Sequence, residues 1–442
     1  MRMGAKKNYS KKPAPHVAGS SRMPRVLILS SLFPIEPHAK DGNFVFHQMV
    51  ALQKQNIACT VVVPKPWTPA LLRGRFPRHR RPIDCDSFKP MGLEVKNATF
   101  FALPGDWLGR LALPSMFRSV WPIIRTAVEA MNANLIHAHG EHCGYVASLA
   151  AARLGIESVV TIHGISSNRY GGSSHMHLQI QHGVRTASCV ILVGSPLKRH
   201  YQFVSGGHDN YVVLTNGFAI PEHPSRSKVP RRRQHRIVAV SNLHEGKGID
   251  LLIRSVAELK KRDLGLELVI VGDGEAFNRL KMLTAELDLA SDVIFLGYLP
   301  HPEAIAEIKA GDVFCLPSWR EACSIAHIEA MALGKVAIGC HSQGPSDYIC
   351  DGETGYLVQP KNVDDLMRVL FQVLTDRDAI ESVGRAAREF ASRQLTWDVN
   401  VSKLKEIYAA ALAKDIARCT DLGGKAKSFD SEQHTVLSEQ NK

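Results

Sequence analysis

The sequence contains no apolar run of about 18 residues free of charge, which excludes a membrane-spanning helix of ordinary length. It has no C-x-x-C pair. Its nine cysteines are scattered singly, and an odd total argues against a disulfide framework and for a reducing, cytoplasmic compartment. Met1 to Arg22 is basic and polar without an apolar core segment, so a secretory signal is not expected, and Met23 offers an alternative start. No Walker A loop occurs. The nearest approach to G-x-G-x-x-G, Val271-Gly-Asp-Gly-Glu275, has Phe277 where the third glycine belongs, which disfavours dinucleotide binding. No recognition motif accompanies the basic residues, so no nucleic-acid partner is expected.

What is present begins with length and charge. At 442 residues the chain exceeds one common-sized core, and two domains of roughly 200 residues are the natural division. The formal charge of +12 is unevenly placed: Arg73, Arg75, Arg78, Arg80 and Arg81 fall in one stretch with Trp67, Leu71, Leu72 and Phe76. Basic residues beside bulky apolar ones suit an anionic membrane surface, so peripheral attachment through Trp67 to Arg81 is an expectation, with a solvated loop as the plainer reading.

Short β-branched runs alternate with helical ones: Arg25 to Ser30, Cys59 to Val63, Leu135 to His139, Val159 to Ile162 and Cys189 to Val193 are strand-like, while Phe44 to Lys54 and Val146 to Arg153 are helical. That rhythm predicts parallel strands with helical crossovers. Proline-bounded, arginine-rich residues 221–236 interrupt it, and it restarts with Ile237 to Ser241, Leu266 to Val271, Val293 to Leu296, Val313 to Leu316 and Val336 to Ile338. The expected division is a basic disordered arm at 1–23, a doubly wound domain at 24–220, a linker at 221–236, a second doubly wound domain at 237–397, a helix at 398–420 packing back toward the first domain, and a disordered tail at 421–442. Ligands of such a pair belong in the cleft between them, at the carboxyl ends of the strands.

Candidate chemistry sits at those ends. Glu329 lies inside the apolar helical run Ile325-Ala-His-Ile-Glu-Ala-Met-Ala-Leu333, eight residues after Glu321. An acid so placed needs a polar partner, and the small residues Ala322-Cys-Ser-Ile325 leave helix-start amides open to an anion. A polyol on the carboxylates and a phosphate on the amides together describe a nucleotide sugar. Val240-Ser-Asn-Leu-His-Glu-Gly-Lys-Gly248 holds Lys247 between two glycines, a point charge for phosphate. Ala39-Lys-Asp-Gly-Asn43 follows the first strand and could cover a ligand. His163, before Gly164 at a strand end, could polarise a hydroxyl or stabilise charge developing on a sugar. Ile136-His-Ala-His-Gly-Glu-His142 has the look of a metal-hydrolase opening, but no later set of ligands accompanies it and no metal is expected. Taken singly, each of these also reads as an ordinary turn, a solvated charge or a structural histidine.

Together, the segments resemble the retaining glycosyltransferases of family four, over Pro24 to Ala413. The most specific part is Glu321 to Glu329, matching the family's E-x7-E signature, flanked by Asp312-Val-Phe-Cys-Leu-Pro-Ser318 and Met331-Ala-Leu-Gly334. Val271-Gly-Asp-Gly-Glu275, Phe295-Leu-Gly-Tyr-Leu299, Asn216-Gly217 and Thr354-Gly-Tyr-Leu-Val358 support it. The resemblance implies an α/β, GT-B architecture of two Rossmann-like domains facing each other across a cleft, the first binding acceptor and the second nucleotide sugar. It implies a hexosyltransferase using a UDP- or GDP-linked donor as co-substrate, with no cofactor and no metal. Residue by residue, Glu329 would hold ribose hydroxyls, Glu321 the donor sugar, and the amides of Cys323, Ser324 and Ile325 phosphate. Lys247 would bind diphosphate, Gly42 would belong to the covering loop, and His163 would stand at the reacting carbon. Gly272 and Leu299 complete the donor-binding set.

Departures from the pattern are Asn242 where the family usually has arginine, Ala322 and Ser324 in place of glycine, and Ile-Ser-Ser after Gly164. Leu32-Phe-Pro34, Phe44-Val-Phe-His-Gln48 and Val63-Pro-Lys-Pro-Trp67 further resemble enzymes of bacterial surface-polysaccharide synthesis, implying a glycan or lipid-linked glycan acceptor at the inner membrane face. The alternatives are a GT-B epimerase acting on a nucleotide sugar, or a non-catalytic nucleotide-sugar-binding protein.

Overall fold

A computed structural model describes residues 23–37, 42–67, 83–101, 109–164, 175–221 and 225–422. Most of the arm and tail, residues 68–81 of the basic cluster, 39–41 of the first loop and Ile165-Ser-Ser167 lie outside the described residues.

The first half builds one parallel sheet from β1 (Val26–Ser30), β2 (Cys59–Trp67), β3 (Glu94–Phe101), β4 (Leu135–His139), β5 (Glu157–Ile162), β6 (Cys189–Leu192) and β7 (Tyr211–Val213), in the order β3-β2-β1-β4-β5-β6-β7. Helices α1 (Asn43–Lys54), α2 (Gly109–Met131), α3 (Glu141–Leu154), α4 (His175–Thr186) and α5 (Leu197–Ser205) make the crossovers. The second sheet runs β10-β9-β8-β11-β12-β13, from β8 (His235–Val240), β9 (Leu266–Val271), β10 (Val293–Gly297), β11 (Val313–Cys315), β12 (Val336–Cys340) and β13 (Tyr356–Val358). Its helices are α6 (Ile249–Lys260), α7 (Phe277–Glu286), α8 (His301–Ala310), α9 (Ile325–Ala332), α10 (Val363–Thr375) and α11 (Arg377–Gln394). Both sheets are doubly wound, as the alternating pattern predicts, and strand order reverses at β1/β4 in one and at β8/β11 in the other. Those two switch points are where a doubly wound sheet opens a crevice.

Strand β2 runs past Val63, where Pro64 suggests an end, as far as Trp67. It pairs with β1 only through Val62, and from Pro64 onward its neighbour is β3 alone. A proline lacking its N–H is tolerated where one side of the strand has no partner.

Charges buried in the second lobe are paired. Arg236 and Glu267, each 1 % exposed, meet at 2.7 Å from Nε to Oε1. Lys228 pairs with Glu303, Arg231 with Asp312 and Arg233 with Asp292, so the arginine-rich segment before β8 is stitched to the second lobe.

Helix α12 (Trp397–Leu412) crosses back to the first lobe, followed by α13 (Ile416–Asp421). Val401, Leu404, Ile407 and Tyr408 join one core with Val26, Ile28, Met49 and Val61. Gln48 donates to Asn400 Oδ1 at 2.9 Å, and Asn400 Nδ2 donates to the Thr215 carbonyl at 2.8 Å.

Candidate functional site

The β8/β11 switch point assembles the charged pair. The loop after β8 turns at Gly248, whose backbone is left-handed (φ 67°) and where a Cβ would lie 2.3 Å from the carbonyl oxygen of Pro317. Only glycine permits that approach. The amides of Trp319 and Arg320 donate to the Gly246 carbonyl at 3.0 and 3.3 Å, so the loop after β11 lies flat against the loop after β8. Lys247 Nζ is thereby brought to 2.5 Å from Glu321 Oε2, with side chains 16 % and 9 % exposed.

The signature segment is pinned at both ends. The Glu321 amide donates to Gln343 Oε1 at 2.9 Å, and its carbonyl accepts from the Gly344 amide at 3.0 Å. Ser324 caps α9 in extended conformation without a side-chain capping bond; its hydroxyl meets His327 Nδ1 at 2.7 Å instead. The amides of Cys323, Ser324 and Ile325 donate to no acceptor among the described residues. Four such groups are left open at any helix start, and they carry the positive end of the helix dipole. Burial pushes the Cys323 thiol up to about 12, so it is packing rather than nucleophile.

Glu329 faces inward from α9, 7 % exposed, and its Oε1 accepts from His301 Nε2 at 2.7 Å. Burial alone would lower the pKa of His301, but the hydrogen bond and charge of Glu329 outweigh it and the imidazole is raised. His301 opens α8 directly after Leu299 and Pro300. Leu299 is buried in the second lobe's core. Gly272 follows β9, where its amide donates to Gly297 at 2.7 Å. Asn242 is exposed, and its carbonyl accepts from the His244 amide at 3.1 Å.

The first lobe supplies the other wall. Gly42 precedes α1 with a left-handed backbone (φ 85°). His163 follows β5, its ring packed at 4.5 Å against Phe44 from the start of α1 and stacked on His139, with Nε2 2.9 Å from His139 Nδ1. Burial holds its pKa down, to about 3, so it is neutral near pH 7. The loop after β6 crosses between the lobes: a Cβ on Gly194 would lie 1.9 Å from the Ala322 carbonyl oxygen, and the Ser195 amide donates to Asp347 Oδ2 at 2.6 Å. Ala322 and Cys323 pack against the first lobe's core, and Cys323 against the second's as well.

In the 136–142 motif, His139 meets His163 as above, while His137 and Glu141 are engaged elsewhere. His137 bonds Tyr408 and Thr161, each at 2.7 Å, and Glu141 bonds His200 at 2.7 Å. Among the described residues no three His, Cys, Asp or Glu side chains gather as a metal site. Sequence reasoning missed His301, Gln343 and Asp347, which support the site from outside the motifs. Only the position of His301 at a helix start beside Leu299 gave a signal.

Comparison with known proteins agrees with this fold. Residues 42–217 match the model of the glycosyl transferase 4-like domain, and residues 223–390 that of glycosyl transferases group 1. The D-inositol 3-phosphate glycosyltransferase of Corynebacterium diphtheriae is 28% identical over 375 residues, covering 78% of this chain and 87% of its own. A GDP-mannose-dependent alpha-(1-6)-phosphatidylinositol monomannoside mannosyltransferase of Mycobacterium tuberculosis is 29% identical over 197 residues, 42% of this chain and 51% of that one, so the match spans about half its length. Among solved structures, Anabaena Alr3699/HepE in complex with UDP-glucose superposes with a TM-score of 0.63 at 19% identity, covering 87% of this chain and 99% of that one.

Proposed function

The chain belongs to the group 1, family-four glycosyltransferases and has their GT-B fold, and from that premise we propose that it moves a hexose, with retention, from a UDP- or GDP-linked donor to a glycan or lipid-linked glycan acceptor. The observation that carries the reading is the Lys247–Glu321 pair set beside the open amides of Cys323 to Ile325. On this reading a diphosphate would take those amides and Lys247, and the sugar would meet Glu321. The pair is neutral as a whole and Asn242 adds no charge, so the helix start carries much of the phosphate binding.

Retention requires attack on the face the leaving group vacates. A carboxylate nucleophile would do this in a hydrolase. In the site described, Glu321 is tied to Lys247 and Glu329 to His301, which fits a front-face displacement instead: the acceptor hydroxyl attacks as the sugar–phosphate bond breaks, and its proton passes to the leaving phosphate. Lys247 and the amides stabilise the charge growing on that phosphate, and no metal is needed.

Trp67 and Phe101, each 47 % exposed with ring centroids 6.2 Å apart, end β2 and β3, and in the sequence Trp67 directly precedes the segment holding the five arginines. That pairing supports an acceptor met at an anionic membrane surface, in surface-polysaccharide synthesis. Among the described residues no helix is long and apolar enough to cross a membrane. Flotation with anionic vesicles tests the attachment; binding indifferent to lipid charge and salt would refute it.

The donor assignment is tested by calorimetric titration of UDP- and GDP-sugars into the wild type and Glu329→Gln, with and without EDTA. Selective binding that weakens in the variant and ignores EDTA supports the reading and names the nucleotide. No binding across the panel, or turnover abolished by EDTA, overturns it.

A further inference from the structure

Helix α9 carries Glu329 four residues past Ile325, and side chains of an α-helix lean toward its N-terminus, so the carboxylate leans toward the open amides of Cys323 to Ile325. Its Oε1 is taken by His301 Nε2 at 2.7 Å. Its Oε2 has no hydrogen-bond partner among the described residues and is not sealed off from solvent. The side chain stays 10 % exposed, so that second oxygen is the reachable one. Glu321 is held alike: Lys247 takes its Oε2, and its Oε1 has no partner among the described residues and is not sealed off either. Each carboxylate of the signature thus has one oxygen clamped by a basic side chain and one left open.

The two clamps differ in what can loosen them. A lysine ordinarily keeps its charge well above neutrality, whereas a histidine gives up its proton near it. Burial would lower the pKa of His301, and the hydrogen bond and charge of Glu329 raise it instead. The elements packed against α8 are β8, β9 and α9. Arg236 on β8 and Glu267 on β9 satisfy each other, His235 opens β8 at the opposite end of the sheet, and His327 on α9 is held neutral, bonded to Ser324 and the Ile338 carbonyl. On α8 itself Glu303 pairs with Lys228, Glu307 bonds Ser227, and Lys309 stands in the last turn. Glu329 is therefore the charge that governs the His301 proton.

We propose that His301 is the positioning residue of Glu329: it clamps one carboxylate oxygen so that the other is presented to the vicinal hydroxyls of the donor's ribose, and donor affinity follows the His301 proton. The inference deepens the transferase reading and rests on it for the identity of the ligand. Deprotonated, the imidazole can still donate from Nε2, but without the charge that makes such a bond about twice as strong. Affinity should therefore decline with rising pH without vanishing.

The test is calorimetric titration of the full-length protein with UDP- and GDP-sugars, UDP-glucose and GDP-mannose first, across the pH range in which NMR shows the His301 imidazole losing its proton. The His301 signal is identified by its loss in His301→Gln. The nucleotide sugar that binds wild type should bind about fivefold more weakly at the top of that range than at the bottom. His301→Gln, which keeps an N–H donor and cannot titrate, should hold one affinity throughout. His301→Leu should bind about tenfold more weakly than wild type at the low end. That loss should vanish with the 2′,3′-dideoxyribose analogue of the same donor, which has no hydroxyls for Glu329 to hold. A wild-type affinity as flat as that of His301→Gln overturns the proposal even if the leucine variant fails to fold, and so does an equal loss for the ribose and dideoxyribose donors. A wild type that binds no UDP- or GDP-sugar sinks the transferase reading and this inference with it, whereas binding indifferent to His301 sinks this inference alone.

Discussion

Gly194→Ala probes the contact between the lobes with a single methyl group. Gly194 has no left-handed requirement, so alanine is compatible with its backbone, but the added Cβ would stand 1.9 Å from the carbonyl oxygen of Ala322 across the interface. A comfortable carbon–oxygen contact is about 3.3 Å. The lobes, or the segment between Glu321 and Ile325, must therefore give way by about 1.4 Å, the difference between those two distances. A misplacement of that size at a reacting centre costs about 100-fold in rate, or about 2.7 kcal/mol. The residues proposed for the donor, Gly42 apart, belong to the second lobe, whereas Gly42 and His163 belong to the first. Parting the lobes should thus lower kcat while leaving calorimetric donor affinity nearly intact. Gly265→Ala is the control, since its Cβ would meet nothing closer than 3.8 Å. A Gly194→Ala protein that is folded and turns over within about twofold of wild type would show that this contact has no part in catalysis.

Three other outcomes follow from the site and its supports. Arg236→Leu leaves Glu267 buried without its partner and should cost about 3–5 kcal/mol in denaturant unfolding, whereas Arg236→Met with Glu267→Leu should recover most of that loss. The raised pKa of His301 means its pair with Glu329 stabilises fully below the unfolded imidazole's value and fades as pH rises through the folded one. The melting temperature of wild type relative to His301→Gln should therefore be higher near pH 6 than near pH 9, both approximate marks for that window, and an equal gap at both would refute the pairing. His137 and His163 show the opposite sign, being held neutral with values lowered to about 3. Their contribution is present above the unfolded value of about 6.5 and is lost as pH falls toward 3, so urea midpoints should drop on acidification with net proton uptake on unfolding.

The fold was legible where local pattern is strong. β9 is buried along its whole length and reads as an apolar run, and the E-x7-E spacing led to the switch point that holds the Lys247–Glu321 pair. β3 escaped notice because its buried Val95 and Ala98 are separated by two half-buried residues, Lys96 and Asn97, giving no clean alternation. Within the site, the residues at strand ends were visible but their pairings were not. Lys247 and Glu321 are 74 positions apart, and His139 and His163 are 24 apart. Periodicity reports which face of an element is buried, not which side chain waits across a loop. His139 was visible as one of a run of histidines weighed as a metal site and set aside, but its contact with His163, which follows a different strand, was not.

The crossing of α12 also sets the order in which the molecule can be made. The first lobe is translated first, yet the core beneath β1, β2 and α1 includes Trp397, Val401, Leu404 and Tyr408. On the ribosome, Val26, Met49 and Val61 must wait through the synthesis of the entire second lobe before their last neighbours emerge. The half that begins first is therefore finished last. A nascent chain halted before α12 would present an apolar face that chaperones could hold and proteases could find, and the second lobe would be complete while the first still lacked a wall.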